Sequence, residues 1–318
     1  MRRLDWFLYG TDYVLRKKCK SIYKIPYSRR QMYSVEEANR ILGKKLCEEE
    51  PFFAGRFGYF ELAAMRAYEF KNRDKYEIVM KQIYDCAGFF PKDLSLGERF
   101  LLEMKEALKE TDLLACSGEL AENYFMNRYM SRQAAGAVHF DMMEPWRYEQ
   151  PWSASLKGKK VLVVTPFDES VREQYAVRET LFQGTEILPE FELLTYKALQ
   201  TTGDLRDERF SDWFEALEFM YGEIRKLDFD TALLGCGAYG FPLAAKLKRD
   251  GKQAVHMGGV LQILFGIMGK RWDGTGPNSD THKMREDIAK YYNENWTYPK
   301  TSETPSSASK VEYGPYWK

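Results

Sequence analysis

A short apolar run, a glycine-rich turn and the beginning of a helix follow one another in residues 231–249, which read Thr-Ala-Leu-Leu-Gly-Cys-Gly-Ala-Tyr-Gly-Phe-Pro-Leu-Ala-Ala-Lys-Leu-Lys-Arg. The run is typical of a strand buried on both faces, as strands of parallel sheets are. Gly235, Gly237 and Gly240 fit the pattern G-x-G-x-x-G, whose glycines let a backbone turn tightly and approach a pyrophosphate. We therefore predict a strand–turn–helix unit of an α/β sheet, in which these glycines and Tyr239 are candidate cofactor contacts.

The residues after this unit leave three interpretations of the turn open. A dinucleotide site also uses an acidic residue near the end of the next strand, about 20 residues further on. The next predicted strand is 254–257, and it offers His256 there and no carboxylate. The turn could be a nicotinamide or flavin site, a contact for another nucleotide or phosphate with His256 beside it, or a purely structural turn.

The same alternation of buried strands and amphipathic helices runs through most of the chain. Further strands are predicted at residues 52–57, 111–116, 137–140, 161–164 and 191–194. Strands that alternate with helices indicate a mostly parallel sheet. We predict a single doubly wound, Rossmann-like α/β domain over 35–275. A basic helical lead over 1–34 precedes it, and a C-terminal helix and Ser/Thr/Pro-rich tail over 276–318 strap back onto it.

Composition narrows the classes of function. The 318 residues include 47 Lys and Arg against 47 Asp and Glu, so the net charge is zero. This argues against nucleic-acid binding, which usually needs a basic surplus. The longest apolar stretch, 258–269, falls well short of the ~20 residues that span a bilayer. No signal peptide is recognisable and no Cys-x-x-Cys pair exists, so we expect a cytoplasmic protein with reduced thiols.

The first 30 residues differ from the rest in charge, with nine basic residues against two acidic ones, and they also contain Trp6, Phe7 and Leu8. A basic, aromatic, partly amphipathic segment can lie on an anionic membrane surface. The alternative is a solvated helix packed on the body. Peripheral contact with the inner membrane face is therefore one of two expectations for residues 1–30.

A second strand-end turn reads Gly-Arg-Phe-Gly-Tyr-Phe-Glu-Leu at 55–62. Ligands of open α/β sheets bind at the carboxyl ends of the strands, so the strand would deliver Arg56 to the ligand side and Gly58 would permit a sharp turn. An arginine there suits a phosphate, and Glu61 in the first helical turn suits a hard divalent cation or a sugar hydroxyl. The alternative is a structural ion pair, with the glutamate favoured by the helix dipole.

Two more strand ends and a basic cluster complete the predicted site. Thr165 and Ser170 follow another buried strand and are candidates for contact with ligand hydroxyls or phosphate, although helix capping would also explain Ser170. The turn at 116–119 is a further strand-to-helix junction. Lys270 and Arg271 could clamp a phosphate, or form the basic end of a buried helix. Four such strand ends at one sheet edge would build a crevice that suits a nucleotide diphosphate.

The turn at 55–61, with Leu-Gly-x-x-Ala at 234–238 and the stretch at 251–258, resembles the GT-D class of bacterial glycosyltransferases. That family has a single Rossmann-like domain and an Arg-Phe-Gly-Asp-Gly-Glu stretch whose Asp-x-Glu motif holds a divalent cation. Here the stretch is Arg-Phe-Gly-Tyr-Phe-Glu at 56–61. The resemblance implies Glu61 as a ligand of Mn or Mg, while Tyr59 stands in place of the other ligand and calls the cation into question.

From the resemblance we expect a glycosyltransferase that uses a nucleotide-sugar donor and a glycan acceptor in bacterial surface polysaccharide or glycoconjugate synthesis. Arg56 and Glu61 would be its catalytic residues, and the glycine-rich turns would contact the donor. One alternative is a non-catalytic nucleotide-sugar or glycan-binding protein of such a pathway, which Tyr59 favours. The other is an NAD-dependent oxidoreductase.

Overall fold

The structure is a computed structural model that describes residues 31–117, 119–203, 205–276, 282–311 and 314–318. The basic lead is predicted over 1–34, and its residues 1–30, which include the expected membrane contact, lie outside these ranges. No helix among the described residues is both long and apolar enough to cross a membrane.

The core of the fold is one open sheet of seven strands, all parallel. The strands are β1 (Phe52–Arg56), β2 (Leu113–Cys116), β3 (Gly136–His139), β4 (Lys160–Thr165), β5 (Glu192–Lys197), β6 (Thr231–Leu234) and β7 (Gln253–His256). Their order across the sheet is β3-β2-β1-β7-β6-β4-β5. The predicted fold class, a doubly wound Rossmann-like α/β domain, is confirmed.

Helices connect the strands and cover both faces of the sheet. They are α1 (Val35–Cys47), α2 (Tyr59–Glu69), α3 (Arg73–Ala87), α4 (Gly97–Glu110), α5 (Leu120–Tyr129), α6 (Asp168–Ala176), α7 (Trp213–Ile224), α8 (Gly240–Arg249), α9 (Leu261–Leu264), α10 (Lys270–Asp273) and α11 (Glu286–Ala289). Local chemistry sets several of their ends. The Ser34 hydroxyl accepts the Glu37 N–H and the Glu37 carboxylate accepts the Ser34 N–H, a reciprocal cap that begins α1.

Alternation along the strands produces two hydrophobic layers. Side chains from one strand face, such as Phe53 of β1, pack with α2, α3, α4, α5, α7 and α8. Side chains from the other face, such as Phe52, pack with α1, α6, α9, α10 and α11. Buried apolar side chains dominate both layers, and their close packing makes the sheet a rigid support for the strand-end turns.

Two segments differ from the sequence expectations. The sequence after β4 predicts a helix from about 169 to 181, whereas the observed helix, α6, ends at Ala176. The apolar segment 258–270, considered as a buried helix, is instead broken into a short 3-10 turn and the four-residue helix α9. Gly258 and Gly266 have φ angles of 67° and 64°, left-handed values that interrupt a right-handed helix.

Candidate functional site

A cavity of about 360 Å³ lies at the carboxyl edge of the sheet. Register explains its position: Gly55 of β1 lies opposite His256 of β7, which in turn lies opposite Leu234 of β6, so these strands end level with one another. The turns after β1, β4, β5, β6 and β7 line the cavity, with the end of α3 and part of the C-terminal segment. The sequence also predicted the turn after β2 as part of this site, but none of the described residues of that turn lines the cavity.

Arg56 is the last residue of β1 and lines the cavity. Its guanidinium carbon lies 5.1 Å from the centre of the Phe140 ring, a cation–π contact that fixes the side chain without neutralising it. Among the described residues, no carboxylate pairs with this guanidinium. The predicted structural ion pair with Glu61 is therefore absent from the described part of the chain, and the charge of Arg56 is available to a ligand.

Helix α2 begins directly after β1 and carries Glu61 in its first turn. The Glu61 side chain is buried, lines the cavity and reaches back over the N-cap residue Gly58, where a Cβ would collide with its carboxylate. A glycine at 58 thus leaves room for the carboxylate. Tyr59 also lines the cavity but is exposed rather than buried, with 66% of its surface accessible to solvent.

The three glycines of the turn after β6 have packing roles. A Cβ on Gly235 would lie 2.8 Å from the Gly258 carbonyl oxygen, and a Cβ on Gly240 would collide with the His256 imidazole. Gly237 has a φ of 59°, which favours glycine. Gly235, Gly237 and Tyr239 line the cavity, whereas Gly240 does not. Because the close packing already requires these glycines, the G-x-G-x-x-G pattern by itself gives no argument for a dinucleotide.

His256 ends β7 between these two turns, and it is buried in the wall of the cavity. Its Nδ1 lies 3.0 Å from the Arg56 carbonyl oxygen. A carbonyl only accepts, so Nδ1 carries the proton and Nε2 is the bare nitrogen. Burial, helped by the Arg56 charge, lowers the pKa of His256 to about 3. The imidazole is therefore neutral at physiological pH, and its role is to hold neighbouring turns in place rather than to transfer protons.

A chain of hydroxyls forms another part of the wall. The Thr201 hydroxyl lies 2.7 Å from the Tyr239 hydroxyl and donates to the Gly88 carbonyl oxygen at 2.6 Å. The Tyr239 ring stacks on Trp213, with 5.2 Å between centroids. Nothing in the sequence singled out Thr201, because it belongs to an irregular segment after β5. Next to Tyr239, burial raises the pKa of the Cys236 thiol to about 12, so this cysteine is not a nucleophile.

The turn after β4 is arranged differently from the prediction. Thr165 and Ser170 do not line the cavity. The buried carboxylate of Glu303 accepts the N–H groups of Glu169 at 2.8 Å and Ser170 at 3.2 Å, and also the Ser170 hydroxyl. An anion therefore already occupies the N-terminus of α6, and it comes from the chain itself. No local pattern could indicate this contact, because the partners are 133 residues apart.

The C-terminal segment closes one side of the cavity through Val311, Tyr316 and Trp317. The Trp317 indole N–H donates to the Glu303 carbonyl oxygen at 3.1 Å. Arg271 lines the cavity, and its Nη1 donates to the Tyr316 hydroxyl at 3.1 Å. Lys270 does not line the cavity. Of the predicted basic pair, the structure thus brings Arg271 to the site and leaves Lys270 outside it.

The charged side chains that line the cavity, among the described residues, are Arg56, Arg271 and Glu61. His256 is neutral, so the lining carries one net positive charge. A hard divalent cation prefers several oxygen ligands, and Glu61 offers a single carboxylate. No group of three or more His, Cys, Asp or Glu side chains is placed to hold a metal in the described ranges. The lining therefore does not fit a cation held by the protein alone, whereas it does fit an anion.

No model of a known protein family matches this sequence, and no curated protein matches it. Two solved structures are similar to the chain. One is a selenomethionine-substituted domain of unknown function 1792, and the other is that domain described as having a distinct glycosyltransferase fold. Each is 14% identical and covers 73% of this chain and 79% of its own, with TM-scores of 0.41 and 0.39. A likeness this distant carries no argument about function, which rests on the cavity.

Proposed function

We propose that the protein is a glycosyltransferase that takes a nucleotide-sugar donor into the cavity and transfers the sugar to a glycan acceptor. The observation that carries the proposal is Arg56, a cavity-lining residue at the end of a central strand whose guanidinium pairs with no carboxylate of the described residues. Guanidinium groups bind phosphate oxygens through paired, charge-assisted hydrogen bonds. A diphosphate is therefore the ligand group that this side chain suits best.

Size and surroundings support a nucleotide-sugar rather than a bare phosphate. A cavity of about 360 Å³ lies within the range of roughly 300–1,000 Å³ that is common for small-molecule sites. Arg271 supplies a second positive charge, and Tyr316 and Trp317 supply aromatic surface beside it. Two guanidinium groups would share the two negative charges of the diphosphate, and the aromatic wall would accommodate the base or the sugar.

The chemistry follows from what such a site stabilises. The acceptor hydroxyl oxygen forms a bond to the anomeric carbon, and the bond from that carbon to the diphosphate oxygen breaks. The electron pair leaves with the nucleoside diphosphate, whose growing charge Arg56 and Arg271 stabilise. Glu61 takes the hydroxyl proton or orients the hydroxyl. Synthesis of surface polysaccharide or glycoconjugate at the cytoplasmic face of the membrane is the setting we propose, on the strength of the sequence resemblance.

Calorimetry with a panel of UDP- and GDP-sugars tests the proposal, in one series with Mn²⁺ and in another with EDTA. We expect binding of at least one donor in both series, because the guanidinium groups rather than a protein-held cation would receive the diphosphate. The Arg56→Ala variant should lose that binding. If no donor of the panel binds under either condition, the proposal is wrong.

A second candidate is a non-catalytic nucleotide-sugar-binding protein of the same kind of pathway. The observation that favours it is that the described residues bring a single carboxylate to the lining, that of Glu61, with the aromatic Tyr59 close to it in sequence. The two candidates separate in one assay. Donor binding accompanied by release of nucleoside diphosphate, dependent on an added acceptor, indicates a transferase, and donor binding without release across the acceptor panel indicates a binding protein.

A further inference from the structure

Two aromatic side chains stand at the rim of the cavity. Tyr59 is the most exposed large hydrophobic side chain among the described residues, at 66%. Phe60 follows it, half-buried, and the two ring centroids are 5.4 Å apart with an angle of 82° between the ring planes. Both residues line the cavity. The two rings therefore form an aromatic corner that lines the cavity and is also open to solvent.

Such a corner has a specific chemistry. Exposed aromatic surface is unfavourable in water, and a contiguous patch of it at a cavity commonly marks a binding site. A pyranose has a face of C–H groups that packs on an aromatic ring, while its hydroxyl groups stay in water or reach polar partners. A purely anionic ligand would gain nothing from this corner, which carries no charge. The corner therefore suits an uncharged sugar ring rather than the diphosphate.

Glu61, the carboxylate proposed to act on the acceptor hydroxyl, is close to this corner in the sequence. Glu61 lies within two residues of Tyr59 on the first turn of α2, and its carboxylate is buried in the cavity. A sugar on the Tyr59 ring would lie at the rim, with one edge towards the cavity that Glu61 also lines and the other edge in solvent. We propose that Tyr59 and Phe60 form the acceptor subsite, which binds one pyranose residue of the glycan. This inference rests on the proposed function, since it places the acceptor beside the donor.

Saturation-transfer NMR with methyl pyranosides tests the subsite without requiring turnover. The probes are the methyl β-glycosides of glucose, galactose and N-acetylglucosamine. The variants are Tyr59→Ala and Tyr59→Phe, and Tyr292→Ala is the matched control because Tyr292 is also an exposed tyrosine, at 44%, outside the cavity lining. We expect Tyr59→Ala to weaken binding of the best probe about 2- to 10-fold, the range of one aromatic contact. Tyr59→Phe and the control should bind like the parent protein.

Donor calorimetry on the same variants separates the subsite from the proposed function. We expect the donor affinity of Tyr59→Ala to stay within about twofold of the parent value, because the ring is not part of the anion-binding wall. If no donor binds but a glycoside binds and Tyr59→Ala weakens it, the subsite stands and the transferase proposal fails. The subsite is refuted if no glycoside binds, if Tyr59→Ala binds the glycoside normally, or if Tyr59→Ala loses donor and glycoside to the same extent.

Discussion

The turn after β1 and the turn after β6 meet in one cavity but contribute in different ways. The turn after β6 has the more familiar glycine pattern, and each of its three glycines has a packing or conformational role: against Gly258, in a left-handed conformation, and against His256. The turn after β1 has fewer glycines, yet it supplies a guanidinium, a carboxylate and an exposed ring to the cavity. A glycine pattern therefore indicates where backbones approach closely, whereas the side chains beside it indicate the chemistry.

The largest expected effect tests whether the β1 turn carries the chemistry. Arg56→Ala should lower kcat/KM for the nucleotide-sugar about 100-fold or more, because a group that stabilises charge in the transition state is lost. Arg99→Ala is the matched control, since Arg99 also lies over a phenylalanine ring, Phe214 at 3.8 Å, but outside the cavity. Steady-state kinetics on both variants checks this. An Arg56→Ala enzyme that works as well as Arg99→Ala would contradict the comparison.

Substitutions in the turn after β6 should change the free energy of unfolding of the protein. Gly240→Ala places a methyl group against the His256 imidazole, and overpacking of this kind costs roughly 1–3 kcal/mol. Gly222→Ala is the control, because Gly222 lies within α7 with no atom near its missing Cβ. That change should raise the free energy of unfolding by about 0.5–1 kcal/mol. Urea denaturation measures both, and equal stability of the two variants would show that the packing role is wrong.

Two further variants, with smaller expected effects, test separately the position and the charge of the Glu61 carboxylate. Gly58→Ala should push the carboxylate aside, since a Cβ would collide with it, while the Gly58 φ of −76° suits alanine. We expect a loss of about tenfold in kcat/KM, equivalent to about 1.4 kcal/mol, and little change in unfolding. Glu61→Gln keeps the shape and removes the charge, so it should also lower kcat. Full activity in both variants would leave Glu61 as no more than a helix-end residue.

The sequence indicated those parts of the fold and site that depend on short-range patterns. Apolar runs predicted the central strands, and the rule that parallel strands end at one edge brought Arg56 and Gly235 together. Contacts between distant segments left no such pattern. The Glu303 carboxylate at the N-terminus of α6 and the imidazole against Gly240 are examples. The first of these contacts explains why Ser170 has a structural partner. No local pattern distinguished Arg271, which lines the cavity, from Lys270, which does not.

The smallest expected effect concerns His256, which joins the two turns by its bond to the Arg56 carbonyl oxygen and its packing on Gly240. Its pKa of about 3 in the folded protein lies below its ordinary value of 6.5. The unfolded chain therefore takes up a proton near pH 6.5 that the folded protein excludes, and the stability from this group is lost as the pH falls below 6.5. Between pH 7.5 and 5.5 the free energy of unfolding should drop by about 1 kcal/mol on this account. Denaturation of His256→Gln should lack this drop, while the exposed-histidine control His282→Gln should keep it. An equal drop in the parent protein and both variants would mean that the His256 imidazole is not held neutral between the two turns.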